Sequence, residues 1–359
     1  MKERGKVEIS LLSNQIDLPA DVVLSMRAAM RVMADEVGES FHYPPPEGLA
    51  DLHERIRRVW RLPKTSDLLV TNSSTEAIHL ALGSLEGAVA VQSPAYFALW
   101  RQDEQERVPW ESLNELREIM TSGRARHIYV NSNFNGLCAR QLTESDKKEI
   151  GRLAQEAGGV VIEDNPMDPL YFNDQFPSRI LDQGGNILYI STMSKILGPG
   201  LRLGFVAGLP ELLRGLRSAK ISASLGASWY TQRLATKMLS EMVVLSVRER
   251  ARDQAEIVRE VLGEMVCLSA GGMYAYLPVL GQDVEAMRTN LRQAGVLVDT
   301  NGFNHPDKLG RGYLRLNYGG CGAEELRVAL ERVREVIGLG ERGGEARGRA
   351  RATKGEAHE

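Results

Sequence analysis

Lys195 and Arg202 belong to one short segment, Ile190-Ser191-Thr192-Met193-Ser194-Lys195-Ile196-Leu197-Gly198-Pro199-Gly200-Leu201-Arg202. An apolar, strand-like run at 187–190 ends in small hydroxyl residues, and the lysine follows before a Gly-Pro-Gly turn. A lysine after a strand is ordinarily a solvated surface charge. This one is crowded by small groups and an apolar loop, with a second cation near it in sequence. Desolvation and a neighbouring cation both favour the neutral amine, the form that attacks a carbonyl carbon. The segment has the makings of a nucleophilic amine.

Other residues could serve such an amine. Val160-Val161-Ile162-Glu163-Asp164 is an apolar strand pattern that delivers a carboxylate at its carboxyl end, 31 residues before the lysine (195 − 164). An unpaired buried carboxylate costs several kcal/mol, so Asp164 either caps a turn or meets a cation. Asn72-Ser73-Ser74-Thr75-Glu76-Ala77 lies between a short apolar run, 68–71, and a helical pattern that continues to Leu82. Strand, small polar turn and helix is the architecture of an anion site, because the first N–H groups of a helix lack partners. The same residues also cap helices. Arg315, in Tyr313-Leu314-Arg315-Leu316-Asn317, is either outward and solvated or inward and paired. An inward arginine suits a carboxylate, whose two oxygens match its fork.

The elements that position these residues alternate between strand and helix. A helical pattern over 21–37 places Val22, Met26, Met30 and Met33 on one face. Tyr43-Pro44-Pro45-Pro46-Glu47-Gly48 is a stiff turn that cannot be helical, and a helix over 49–60 follows. Strands are expected at 88–92, which ends in Ser93-Pro94-Ala95-Tyr96, and at 127–130, which leads to Asn135-Gly136-Leu137-Cys138. The next helix opens with Leu142-Thr143 as staple and cap, points Ile150, Leu153 and Ala154 inward, and stops at Gly158-Gly159. Beyond a strand at 205–208 come helical patterns over 230–240 and 245–265. Strands then begin near Gly271-Gly272-Met273-Tyr274, Gly295-Val296 and Gly312-Tyr313, and a last helix covers 323–337. Residues 338–359 mix glycine with alternating charge, carry no apolar period, and are expected to be disordered.

Composition narrows the class. An apolar fraction of 43% and a net charge of −3 describe an ordinary globular protein and give no reason to expect nucleic acid or an anionic membrane as partner. No run approaches the roughly 18 apolar residues of a membrane span, and no apolar leader follows the charged opening. Three scattered cysteines without a C-x-x-C pair argue against a disulfide framework or a zinc site and fit a reducing cytoplasm.

The segment around Lys195 resembles the cofactor-lysine motif of pyridoxal-phosphate enzymes of the aspartate aminotransferase fold (fold type I, class I/II), S-x-S-K followed by P-G-x-R-x-G. The wording is nearest to the 2-aminoadipate and aromatic aminotransferase branch, and the resemblance covers roughly residues 40–337. It implies an α/β fold: a large domain, 41–244, built on a doubly wound, mostly parallel sheet, and a smaller α+β domain made from an N-terminal arm, 1–40, and residues 245–337. It further implies pyridoxal 5'-phosphate held by Lys195 as a Schiff base, with Asp164 on the pyridine nitrogen and Tyr96 stacked on the ring. Asn135 would donate to the ring oxygen and help to bind substrate. Ser74, Thr75, Thr192 and Arg202 would hold the phosphate, joined by Tyr43 from the partner subunit of a homodimer. Arg315 would clamp the substrate α-carboxylate.

The implied reaction moves an amino group from an L-amino acid to a 2-oxoacid. Two departures leave a lyase, cyclase or oxidase of specialised amino-acid metabolism as the alternative. Met167 stands where most of the family has a tyrosine that donates to the ring oxygen, and Gly136-Leu137-Cys138 does not reproduce the family's N-P-x-G turn. A non-catalytic regulatory protein on this fold is a third reading. The expectation runs against it, since no extension the size of a helix-turn-helix precedes residue 40.

Overall fold

The computed structural model describes residues 8–12, 16–100, 105–138, 141–279, 283–300, 302–306 and 312–352. Strand β1 (Ile9–Ser10) and helices α1 (Ala20–Asp35) and α2 (Ala50–Val59) come first. The central stretch runs β2 (Asp67–Thr71), α3 (Ser74–Gly83), β3 (Val89–Gln92), β4 (Arg107–Trp110), α4 (Leu113–Thr121), β5 (His127–Val130), α5 (Glu144–Glu156), β6 (Val161–Asp164), β7 (Ile187–Thr192) and β8 (Gly204–Gly208). Helices α6 (Pro210–Ser224), α7 (Trp229–Met238) and α8 (Glu241–Leu262) lead to β9 (Cys267–Leu268), β10 (Tyr274–Pro278), α9 (Val284–Gln293), β11 (Val296–Leu297), β12 (Tyr313–Asn317) and α10 (Ala323–Ala352).

Seven strands form one sheet in the order β2-β8-β7-β6-β5-β3-β4. β8 runs antiparallel to both neighbours and the other pairings are parallel. Helices cover both faces, so the strands are apolar almost throughout, as a parallel sheet requires. One face packs Leu69, Val91, Ile162 and Ile190 against α3 and α6; the other packs Val70, Val130, Val161 and Phe205 within the larger core. This is the α/β architecture expected, with a mostly parallel large sheet and smaller sheets beside it. The smaller ones join β12-β10-β9 and β1-β11, so chain from both ends of the sequence meets in the second pairing. Helix α8 carries the chain from the large sheet to the small ones and packs on α10.

Two expectations are corrected. In α1 the inward positions are Val22 and Ala29, with Met26 and Met33 half-buried, while Met30 is 52% exposed. A period of 3.6 residues let either Ala29 or Met30 continue the stripe, and the packing takes the smaller one. The last helix does not stop at Ile337 but continues to Ala352; residues 353–359 of the expected disordered tail lie outside the described residues. Helices α4, α6 and α9 and strand β4 come in addition to the expected elements; α4 buries Leu116, Ile119 and Met120, α9 buries Met287 and Leu291, and α6 buries only Leu213, Leu216 and Lys220.

One glycine sets how closely sheet and helix meet. Gly204 opens β8, paired with Thr71 of β2 and Thr192 of β7. A Cβ there would lie 2.6 Å from the Ser74 nitrogen and 3.0 Å from the Ser191 carbonyl oxygen, both backbone atoms that a side-chain rotation cannot clear. Gly204→Ala is expected to destabilise the fold by about 1–3 kcal/mol, the usual range for overpacking. A lowered urea midpoint with an unchanged m-value is the result to look for.

Candidate active site

A cavity of about 510 Å³ opens at the carboxyl ends of β3, β5, β6 and β7. Open α/β sheets present their ligand crevices there. Ser74, Thr75, Tyr96 and Asp164 line it, as do Thr192, Lys195, Arg202 and Arg315. Residues that stand far apart in sequence are brought to one space.

Asp164 is the last residue of β6. Strand alternation sends Glu163 to the other face, where Ser132 Oγ donates to it at 2.5 Å and the N–H groups of Ile180 and Leu181 at 2.8 and 2.9 Å. Asp164 faces the cavity. Tyr129, on neighbouring β5, donates its hydroxyl to Asp164 Oδ2 at 2.5 Å. Asp164 Oδ1 is buried and has no hydrogen-bond partner among the described residues. Burial pushes the carboxyl up to about 6, against the opposing pull of the Tyr129 hydroxyl. A buried acceptor left open in this way can take a donor from a ligand or from water.

The anion end is built on α3. Ser73 Oγ accepts from the Glu76 N–H at 3.1 Å and caps the helix, while the N–H groups of Ser74 and Thr75 have no acceptor within it. The helix is anchored from behind: the Glu76 carboxylate receives the Asn72 N–H at 2.5 Å and the Nζ of fully buried Lys220 at 3.1 Å. Thr75 Oγ1 lies 3.1 Å from the Tyr96 hydroxyl, which fixes that ring at the rim. Arg202 reaches the cavity from a left-handed backbone, φ 51°, its Nη1 donating to the Pro199 carbonyl at 3.3 Å. A non-glycine residue held there stores about 1–3 kcal/mol of strain, a pattern that collects at ligand sites. Thr192 lines the cavity, yet its hydroxyl is engaged in the turn: it accepts from the Ser194 N–H at 3.1 Å and lies 3.0 Å from the Leu203 carbonyl. That turn is the one-turn helix Met193–Lys195, which presents the lysine.

The other end belongs to the small sheets. Arg315 on β12 is 6% exposed; its Nη1 donates to the Gly136 carbonyl at 3.0 Å and its Nη2 to Asp299 Oδ2 at 2.5 Å. The expected inward, paired arginine is found, with its carboxylate supplied by the chain itself.

One residue expected in the cavity of its own chain is not brought there. Asn135 is buried in the wall behind it. Its Oδ1 accepts from the Leu137 N–H at 2.9 Å and its Nδ2 points to Gln92 Oε1 at 3.4 Å, so Gly136 and Leu137 line the space in its place. Tyr43 is 83% exposed and is not among the lining residues of its own chain. Met167 does line the cavity: it is 2% exposed and packs so closely that a Cβ on Gly136 would lie 3.0 Å from its methyl carbon. The sequence reading missed Tyr129, Gln92, Asn131, Ser194 and Asp299 as lining residues. Ser194, inside the lysine segment, and Gln92 and Asn131, polar residues at the ends of apolar strands, carried a signal that could have marked them.

A family model for aminotransferase class I and II matches residues 6–333. The chain belongs to this family. The family named from the lysine segment is therefore borne out. Curated relatives include an uncharacterized HTH-type transcriptional regulator, YdfD, of Bacillus subtilis, 24% identical over 335 residues that cover 84% of this chain and 69% of that protein. The 2-aminoadipate transaminase of Thermus thermophilus is 25% identical over 338 residues, 86% of this chain and 85% of that enzyme. Among solved structures, the kynurenine aminotransferase of Pyrococcus horikoshii, in complex with PMP, superposes with a TM-score of 0.80 at 21% identity, covering 93% of this chain and 92% of that one. Aminotransferase-family membership and fold thus agree with the cavity geometry.

Asp164 gives the site a measurable cost. Its folded pKa of about 6 stands above the unsupported value of 3.8, so folding favours the protonated carboxyl. The stability it lends is complete below about pH 4 and is lost as pH rises through about 6. Asp164→Asn should therefore stabilise the ligand-free chain by about 2–3 kcal/mol at pH 7–8, and by far less near pH 4. Urea unfolding of both proteins at the two pH values checks it.

Proposed function

We propose that the chain is a pyridoxal 5'-phosphate-dependent aminotransferase that passes an amino group from a donor to a 2-oxoacid. The observation that carries this reading is the buried, unpartnered Oδ1 of Asp164, in the same cavity as the Lys195 amine and the α3 N-terminus with Arg202. The three demands are for an N–H cation, a carbonyl and an anion. Pyridoxal phosphate carries all of them on one small ring: a protonatable nitrogen, an aldehyde and a phosphate. When bound, it supplies an electron sink beside the carbon that bears the amino group.

The chain's own residues do the rest. Asp164, braced by Tyr129, holds the proton on the ring nitrogen. Ser74 and Thr75 offer backbone N–H groups and hydroxyls to the phosphate, and Arg202 adds charge. Thr192 and Ser194 shape the turn that presents Lys195, whose amine takes the proton from the nitrogen-bearing carbon of the donor. Tyr96 offers a flat face held by Thr75. Arg315 receives the carboxylate of the 2-oxoacid. A second copy of the chain docks on the exposed aromatics Phe41, Tyr43 and Tyr230, giving a homodimer in which Tyr43 completes the neighbour's phosphate site.

Met167 favours a second reading. A thioether on the cavity wall cannot donate to the ring oxygen, and Asn135 points elsewhere. That leaves the oxygen with fewer donors than in most of the family, at the position where reaction choice is tuned, and elimination or oxidation is the alternative outcome. Donor alone and donor with 2-oxoglutarate or pyruvate separate the two. Amino transfer stops after one turnover without an acceptor; continued release of ammonia or uptake of oxygen selects the other. Lys195→Ala should lose the covalently retained visible chromophore and at least a thousandfold in turnover. A normal chromophore in that variant would refute the role of the lysine.

A further inference from the structure

Arg315 and Asp299 are bound to each other by backbone as well as side chain. They face one another across an antiparallel bridge, Arg315 N–H donating to the Asp299 carbonyl at 2.8 Å and Asp299 N–H to the Arg315 carbonyl at 3.3 Å. Residues paired in this way carry their side chains on the same face of the ribbon, a few ångströms apart. The ion pair, Nη2 to Oδ2 at 2.5 Å, is thus set by the register of two chain segments. The rest of the guanidinium is held too: Nη1 by the Gly136 carbonyl at 3.0 Å, and the plane over the Tyr274 ring at 4.9 Å from its centroid.

The two partners are unequally placed. The Arg315 side chain is 7% exposed and that of Asp299 22%, and both line the cavity. A carboxylate near water can turn outward at small cost, whereas a buried guanidinium left alone is expensive. With Asp299 seated, a ligand carboxylate finds the arginine fork taken and meets a like charge beside it. The adjoining walls, Leu137, Met167 and Tyr274, are apolar or aromatic.

Resting on the amino-transfer reading, we propose that Asp299 fills the carboxylate site of Arg315 while the donor is bound, and so determines donor specificity. The favoured donor is a primary amine with an apolar or aromatic body and no carboxylate beside the reacting nitrogen, because an L-amino acid, like the one formed from the 2-oxoacid, must first displace Asp299. The 2-oxoacid acceptor does carry a carboxylate and displaces Asp299 toward solvent.

Two measurements on the full chain test this. In the first, 3-phenylpropionate is titrated calorimetrically into cofactor-free protein. Asp299→Asn should bind it at least tenfold more tightly than the unaltered chain, and equal affinities overturn the proposal. In the second, the cofactor-loaded chain is mixed, without acceptor, with 2-phenylethylamine or L-phenylalanine, which differ only in the carboxylate. The rate at which the visible band bleaches should favour the amine at least tenfold, and Asp299→Asn should cut that ratio at least tenfold. A preference for phenylalanine in the unaltered chain overturns the proposal, and this comparison stands even if the variant fails to fold. Absence of any visible band after loading would defeat the amino-transfer reading, while the calorimetric arm would still decide whether Asp299 guards Arg315.

Discussion

A carboxylate buried at the end of a central strand, with one oxygen satisfied and the other open, is the constraint around which the cavity is arranged. Taking Asp164 out of water raises its carboxyl to about 6 and, among the described residues, returns one side-chain hydrogen bond, from Tyr129. The fold tolerates this because β6 lies in the middle of the seven-stranded sheet, where covering helices and parallel neighbours leave no freedom to turn the side chain outward. Its neighbour Glu163 locks the strand from the far face by accepting from two backbone N–H groups and a serine. An open acceptor in so rigid a setting is a preformed half of an ion pair.

The anion end obeys a different economy. It relies chiefly on backbone, with Arg202 as the cation beside it. The α3 N-terminus, the missing side chain of Gly204 and the buried Lys220–Glu76 pair bring free N–H groups to the cavity and keep them there. The remaining end is contributed by segments from the last third of the chain. It reaches the large sheet at the rim, where the Asn304 carbonyl accepts from the Ala95 N–H at 2.9 Å and from Trp100 Nε1 at 2.8 Å. Three ends of one cavity are thus held by three kinds of interaction.

This division explains what the sequence could disclose. The lysine segment, Asp164 and the Ser74-Thr75 turn were legible because each is a local pattern, a strand that ends in a polar residue at the sheet's carboxyl edge. The mostly parallel sheet was legible because strands covered on both faces read as unbroken apolar runs. Tyr129 stayed hidden, since it is an interior strand residue whose role comes from the strand beside it. Asp299 was hidden for the same reason: its partner stands 16 residues on, across a bridge that no periodicity records. Asn135 was misplaced by analogy, because a turn with Phe134 at φ 45° sends its amide into the wall.

The left-handed backbone at Arg202 has a bearing on how this protein would drift or be engineered. Glycine or asparagine would relieve the strain there, and a change in that direction would raise resistance to unfolding while removing a cation from the cavity. Selection for robustness and selection for ligand retention therefore pull this one position in opposite directions. A library sorted only for heat tolerance would select against the arginine.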